Sequence, residues 1–331
     1  MNRRRFIQGL GTSSILTGAQ LTGSAKAQGA IDADWPRQAV KIVVPFPPGG
    51  TADAMPRIVS EGLRTIWKQP VIIENRPGAG GNIGAETVSV AAPDGYTLLG
   101  SPPPPIAINQ SLYPKLAFDP NKFMAVSILS THPNIVAVSK RLGVNSIKEL
   151  ISRAQKDPGK ISVANQGNGS TSHLTAAMFE TMAGVKFNHV PYRGTAPAMN
   201  DLVAGHVDLF FDNISSSLAQ HRAGTISIIA VCSTSRVREL PDVPTVSEGG
   251  ISGFSAIAWN AIMAPPGTPD VIVNKINADI QTVLNEPHIR RRIIDLAGEP
   301  VGNSPSEAAS FIASERRLWA DVIKKSNIKL E

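Results

Sequence analysis

Short apolar runs alternate with helically spaced apolar stripes along most of the chain, the pattern of parallel α/β sheets. Val40–Val44 (VKIVV) reads as a first strand, 45–52 as a loop, and Ile58, Val59, Leu63, Ile66 and Trp67 as one face of a helix. Strands are predicted at 71–73 and 96–99, on either side of a glycine-rich turn (77–84) and a helix ending near Val90. Four consecutive prolines, 102–105, exclude helix and central strand there. Strands follow at 134–138, 160–164, 187–190, 207–211 and 226–232, with helices predicted from 146 to about 157, at 172–183 and at 196–204. The last third is helical. Ile272, Ile276, Ile280, Val283 and Leu284 recur at helical spacing, and Ser304-Pro305-Ser306-Glu307 combines a capping box with proline at the first helical position. It opens a helix whose predicted buried stripe is Phe311, Ile312, Leu318, Trp319, Val322 and Ile323.

This order predicts an α/β chain of two lobes, one inserted into the other, with a cleft between them. Lobe 1 spans 28–131 plus 255–331, and lobe 2 spans 132–254. Crossings near 131–138 and 256–265 would form the hinge. A length of 331 residues suits two lobes, and 42% apolar residues suit ordinary cores.

Charge narrows the function classes. The net charge is +6, but four basic residues lie in the first 27, which contain no acid. Without them the balance falls to +2, too little for a nucleic-acid-binding face. Arg290-Arg291-Arg292 reads as a solvated helix face. The first 27 residues have the parts of a twin-arginine export signal in order. These are Arg3-Arg4-Arg5-Phe6, a mildly apolar stretch from Gly9 to Leu21, and a small-x-small site at Ala25-Lys26-Ala27. The expectation is a periplasmic protein cleaved after about Ala27. No other stretch approaches the ~18 apolar residues of a membrane span, so no direct membrane insertion is expected. Cys232, the single cysteine, excludes an internal disulfide and reads as a small core residue.

Two loops carry candidate chemistry. Residues 45–53 (PFPPGGTAD) join a strand to a helix, with Thr51 or Asp53 the expected N-cap and Pro56 close to the helix start. Residues 165–173 (NQGNGSTSH) repeat the layout with three successive hydroxyls. Helix N-termini present unpaired N–H donors and bind anions, and ligands of open α/β sheets bind beyond the carboxyl ends of the strands. Each loop alone also reads as an ordinary capped turn. The pair behind an export signal reads as an anion clamp. His173 could touch a ligand or merely cap, Asp212 ends an apolar strand, and Arg193 could pair a carboxylate or simply be exposed.

Rival motifs fail. Ser172 replaces the third glycine of a dinucleotide fingerprint, and no acid ends the following strand. No P-loop and no nucleophile elbow occur. The six histidines never pair at metal-ligand spacing, so neither a metal nor a cofactor is expected.

Seven ordered segments carry a family resemblance: 44–50 (VPFPPGG), 74–84 (ENRPGAGGNIG), 93–98 (PDGYTL), 167–173 (GNGSTSH), 189–194 (HVPYRG), 240–245 (LPDVPT) and 264–269 (APPGTP). The chain resembles the solute-binding receptors of tripartite tricarboxylate transporters, the Bug family. The resemblance implies a two-lobe periplasmic-binding-protein fold (Venus flytrap, type II-like) and a non-enzymatic receptor that holds a carboxylate through backbone amides and hydroxyls and delivers it to integral membrane subunits. The ligand would be a di- or tricarboxylate, an acidic amino acid or an aromatic acid, and the receptor a monomer. The implied ligand-binding residues are Phe46, Gly49, Gly50, Thr51 and Asp53 of the first loop and Ser170, Thr171, Ser172 and His173 of the second, with Arg193 and Asp212 in addition. Pro56, Asn260 and the prolines 102–105 depart from the family's usual residues. The alternatives are a sensing receptor for a membrane kinase and an exported α/β hydrolase. Ser172 and His173, adjacent on one helix, make a poor dyad for the latter.

Overall fold

The computed structural model describes residues 35–328. The export signal predicted at 1–27 lies outside them.

The core is two sheets that share one strand. In the first, β1 (Val40–Val44) lies between β2 (Val71–Asn75) and β3 (Thr97–Ser101), all parallel. β9 (Ile257–Ala264) runs antiparallel beside β3, β4 (Met124–Ser139) beside β9, and the short β10 (Glu299–Pro300) on the far side of β4. In the second sheet β4 lies between β8 (Ile226–Val231) and β7 (Leu209–Asn213). Beyond β7, β5 (Ser162–Asn165) and β6 (Asn188–Pro191) follow in parallel.

β4 is longer than the strand predicted at 134–138. Ser127, Ser130, His132 and Pro133 break the apolar pattern that would reveal it, yet Ser127, Ser130 and His132 are fully buried. His132 accepts or shares a proton with Ser130 Oγ at 2.8 Å, and burial pushes its pKa down to about 4, so it is neutral. Pro133 marks the change of partner. Its register is with Ile257 of β9, whereas Asn134 pairs Asn213 of β7. A residue without an N–H donor suits the point where the strand leaves one ladder for another. The segments 131–138 and 256–265 thus lie on two strands, β4 and β9, that pair with each other.

Helices cover the sheets. α1 (Thr51–Trp67) buries Met55, Ile58, Val59, Leu63 and Trp67 on the first sheet, while Ile66 is half-buried. Gly50, not Thr51 or Asp53, is its N-cap, and Pro56 lies inside it. Pro56 is accommodated because the facing residue on β3 is Gly100, where a Cβ would come within 2.9 Å of the proline ring. The tetraproline segment also differs from expectation. Residues Pro104–Ile108 form one π-helical turn with Pro103 as N-cap. Prolines occupy the cap and first positions, where no N–H is needed.

α2 (Asn82–Ser89), α3 (Ile147–Lys156), α4 (Thr171–Ala183), α5 (Thr195–Ala204) and α6 (Ile214–Arg222) follow their strands or loops in turn. The helical last third holds α7 (Asp270–Asn285), α8 (Pro287–Asp295) and α9 (Pro305–Ser326), the last opening with the predicted capping box of Ser304 and Glu307. α9 serves two cores. Ala308 and Ile312 pack with Trp259 of β9, and Trp319, Val322 and Ile323 pack with Val136, Phe179 and Phe211 near the second sheet. Glu315, between them, accepts from the indole N–H groups of both Trp259 and Trp319. Leu318, predicted in the buried stripe, is 39% exposed. Cys232 is fully buried, and burial raises its pKa. The arginine triplet is exposed and ion-paired to Glu299, Asp295 and Glu61.

Candidate ligand-binding cleft

Every βα connection in a parallel sheet starts a helix at the strands' carboxyl edge, so that edge collects helix N-termini. Here both sheets turn such an edge to the same cavity, of about 140 Å³. The first sheet contributes Phe46, Pro47, Pro48, Gly50, Thr51 and Ala52 after β1, and Pro102 and Pro104 after β3. The second contributes Gln166 and Thr171 after β5, residues 193–197 after β6, and Asn213 at the end of β7. Ala258 and Asn260 of β9 complete the wall. A neighbouring cavity of about 510 Å³ shares Phe46, Pro47, Pro104, Gln166, Arg193 and Gly194, and adds the 77–81 loop, Tyr113 and Tyr192.

Three of the helices that start here, α1, α5 and α6, have no side-chain cap, with Gly50, Gly194 and Asn213 as their N-cap residues. Their first-turn N–H groups lack helical acceptors and carry the positive end of the helix dipole. The ends nearly touch. A Cβ on Gly50 would lie 3.3 Å from Thr195 Oγ1, and Thr51 Oγ1 is 2.7 Å from Ser215 Oγ on the first turn of α6. Asn260 Nδ2 reaches the Thr51 carbonyl at 3.4 Å. Arg193 is the one charged side chain lining either cavity, and it makes no ion pair among the described residues. Such a lining favours an anion and holds no acidic side chain to pair a cation.

The structure brings Phe46, Gly50, Thr51, Thr171 and Arg193 together on the cavity wall. Ser170 lines only the neighbouring cavity, where its Oγ accepts from the N–H of His173 and so caps α4. Five other candidates, Gly49, Asp53, Ser172, His173 and Asp212, line neither of these two cavities. Gly49 has φ +95° and donates its N–H toward Asp53 at 3.4 Å. Asp53 is buried and takes bonds from Arg57 and Asn75. Burial alone would raise its pKa, but the hydrogen bonds from Arg57 and Asn75 and the charge of Arg57 hold it below the usual carboxylate range. Ser172 is buried with its hydroxyl unpartnered.

His173 lines a separate cavity with Glu180, Lys186 and His189. Its Nδ1 accepts from the Gly169 N–H, and burial, aided by nearby His189, lowers its pKa to about 4. Asp212 lies behind the wall, fully buried, with Gln166 Nε2 at 2.7 Å and Ser217 Oγ at 2.8 Å. Burial raises its pKa to about 6 against those hydrogen bonds.

Sequence reasoning missed Gln166, Thr195, Ala196, Asn213 and Ser215 as site residues. Two signals were present. Glycine before a hydroxyl residue at 194–195, just after a strand, marks a helix start, and Asn213 is a favoured N-cap type. Among the described residues no cluster of His, Cys, Asp or Glu could hold a metal, and no helix is long and apolar enough to cross a membrane.

The model of the tripartite tricarboxylate transporter family receptor matches residues 55–328. The chain belongs to this family. It is similar to the solved structure of R. palustris Rpa4515 with adipate, with a TM-score of 0.86 and 35% identity over 89% of this chain and 99% of that one. It is also similar to MatC from Rhodopseudomonas palustris with bound malate, with a TM-score of 0.82 and 34% identity over 87% and 99%. A third likeness is the periplasmic binding protein BugD, with a TM-score of 0.84 and 35% identity over 90% and 100%. Members of the receptor family are substrate-binding proteins, not enzymes, and the two-lobed α/β fold is theirs.

Proposed function

We propose that this receptor captures a small carboxylate between its two sheets and delivers it, from the periplasm, to the integral membrane subunits of a tripartite tricarboxylate-type transporter. The observation that carries the reading is the convergence of three uncapped helix N-termini on a cavity that holds no acidic side chain. A carboxylate there accepts several N–H bonds at once, and charge-assisted bonds of this kind are about twice as strong as neutral ones. Bonds from α1 on one side and α5 and α6 on the other reward closure, because a ligand shifts a conformational equilibrium only by its differential contacts. Adipate on Rpa4515 and malate on MatC support the ligand class, the family supports the transporter partner, and BugD supports the compartment. The export signal predicted at 1–27 is part of the same reading.

The test is mass spectrometry of ligand co-purifying with the exported protein. Calorimetry with di- and tricarboxylates, acidic amino acids, aromatic acids, sugars and cationic solutes follows. Carboxylate binding is expected. Binding of only sugars or cations overturns the reading.

A further inference from the structure

Two amides in the cleft wall have their NH2 ends committed to protein. Gln166 Nε2 donates to Asp212 Oδ1 at 2.7 Å and lies 3.4 Å from Asn213 Oδ1. Asp212 is sealed from solvent, and its other oxygen takes the Ser217 hydroxyl at 2.8 Å. A buried carboxylate left without donors is costly, so Asp212 holds the Gln166 NH2 group inward. At pH 7.5, above its raised pKa of about 6, Asp212 is ionised and can only accept. The remaining polar atom of Gln166 is its carbonyl Oε1, which has no protein partner and is not sealed off. Asn260 repeats the arrangement more loosely. Its Nδ2 reaches the Thr51 carbonyl at 3.4 Å, and its Oδ1 is likewise neither partnered nor sealed. A site built around N–H donors therefore also presents acceptors.

We propose that the cleft is specific for hydroxycarboxylates, with the carboxylate at the helix N-termini and a hydroxyl donating to Gln166 Oε1, seconded by Asn260 Oδ1. This rests on the carboxylate reading above. Among donors that could satisfy the two oxygens, an ammonium group is disfavoured. No free carboxylate lines the cavity, Asp53 is engaged by Arg57, Asp212 is held behind Gln166, and the one charged neighbour is the cation Arg193. A neutral hydroxyl meets the acceptors without those costs. Asp212 acts here as a positioning residue: it sets which end of the Gln166 amide the ligand meets.

The experiment is calorimetry at pH 7.5 on the mature protein with acids matched except for one hydroxyl: glycolate and acetate, malate and succinate, citrate and tricarballylate, mandelate and phenylacetate. In each pair that binds, the hydroxy acid is expected to bind about 10-fold tighter or more, since an unmet acceptor in a closed site costs about one hydrogen bond or more. Equal or tighter binding of the deoxy acid overturns the proposal and leaves carboxylate binding intact. Binding of no carboxylate at all overturns the reading beneath it.

Asp212→Asn lets an amide NH2 face Gln166 and frees the glutamine to turn. The preference should fall toward one while the deoxy acids retain their affinity. A purely structural loss would weaken both members of a pair alike. If that variant does not fold, Gln166→Met reads the same ratio. A preference kept in the folded variants contradicts the proposal.

Discussion

The helix starts of α1 and α4 share one plan, strand, glycine loop, helix, and yet do opposite things with their N–H donors. α1 begins at Gly50, which has no side chain to fold back, and its first turn opens on the cavity. α4 begins at Ser170, whose hydroxyl takes the His173 N–H, while His173 Nδ1 takes the N–H of Gly169. The second loop is thus partly closed on itself, and the donors opposite α1 come instead from α5 and α6. A glycine-rich loop announces a helix N-terminus. Whether its donors remain for a ligand depends on the cap.

The largest test of this contrast places a negative charge among the open donors. Ala196 is exposed, lines the cavity and is the second residue of α5, which has no acid in its first turn. Ala196→Asp is expected to weaken carboxylate binding by about 100-fold or more through like-charge repulsion in a confined site. The same change leaves stability unaltered or raises it by about 0.3–1 kcal/mol, because acids favour helix N-termini. Calorimetry and thermal melts check the opposed signs.

Asp53 and Asp212 sharpen the comparison in the pH dimension. Asp53 is held below its ordinary pKa, so its contribution to stability is present above about 3.8 and is lost as pH falls. Asp212 is raised to about 6 from 3.8. Its folded state prefers the proton, so its contribution is full below 3.8 and is lost as pH rises through 6. Wild type should therefore lose stability relative to Asp212→Asn between pH 3.8 and 6, by about 1–3 kcal/mol. Denaturant midpoints at pH 4 and 7.5 measure it. A difference that does not change with pH would be contrary to this assignment.

Arg193→Gln tests the one charged side chain that lines the cleft. Affinity should fall about 10-fold at low salt and less in 1 M salt, with the melting temperature unchanged, since the side chain is exposed and has no partner to lose. Ser170→Ala should act on the fold instead. It removes the α4 cap at a cost of about 1 kcal/mol and changes affinity less than about 3-fold. A large affinity loss in Ser170→Ala with stability intact would restore the second loop as a ligand loop.

Local chemistry was legible in the sequence, and convergence was not. Val40–Val44 and the Ser304–Glu307 box were readable because apolar runs and caps depend on near neighbours. β4 was read at a third of its length because its Ser127, Ser130 and His132 are polar yet buried, a tertiary fact. Asp53, Ser172 and Asp212 had the right residue types in the right loops. Asp53 turns inward to Arg57 and Asn75 and Asp212 to Gln166, while Ser172 is buried without a partner. Thr195 and Ser215 went unnoticed because their value lies in closeness to Gly50 and Thr51, some 145 or more residues away in the chain.

The most direct measurement is a crystal structure with the tightest-binding carboxylate. The account predicts a carboxylate group within hydrogen-bond reach of first-turn N–H groups of both α1 and α5. A carboxylate held in the His173 cavity, or touching only side chains in the cleft, would contradict it.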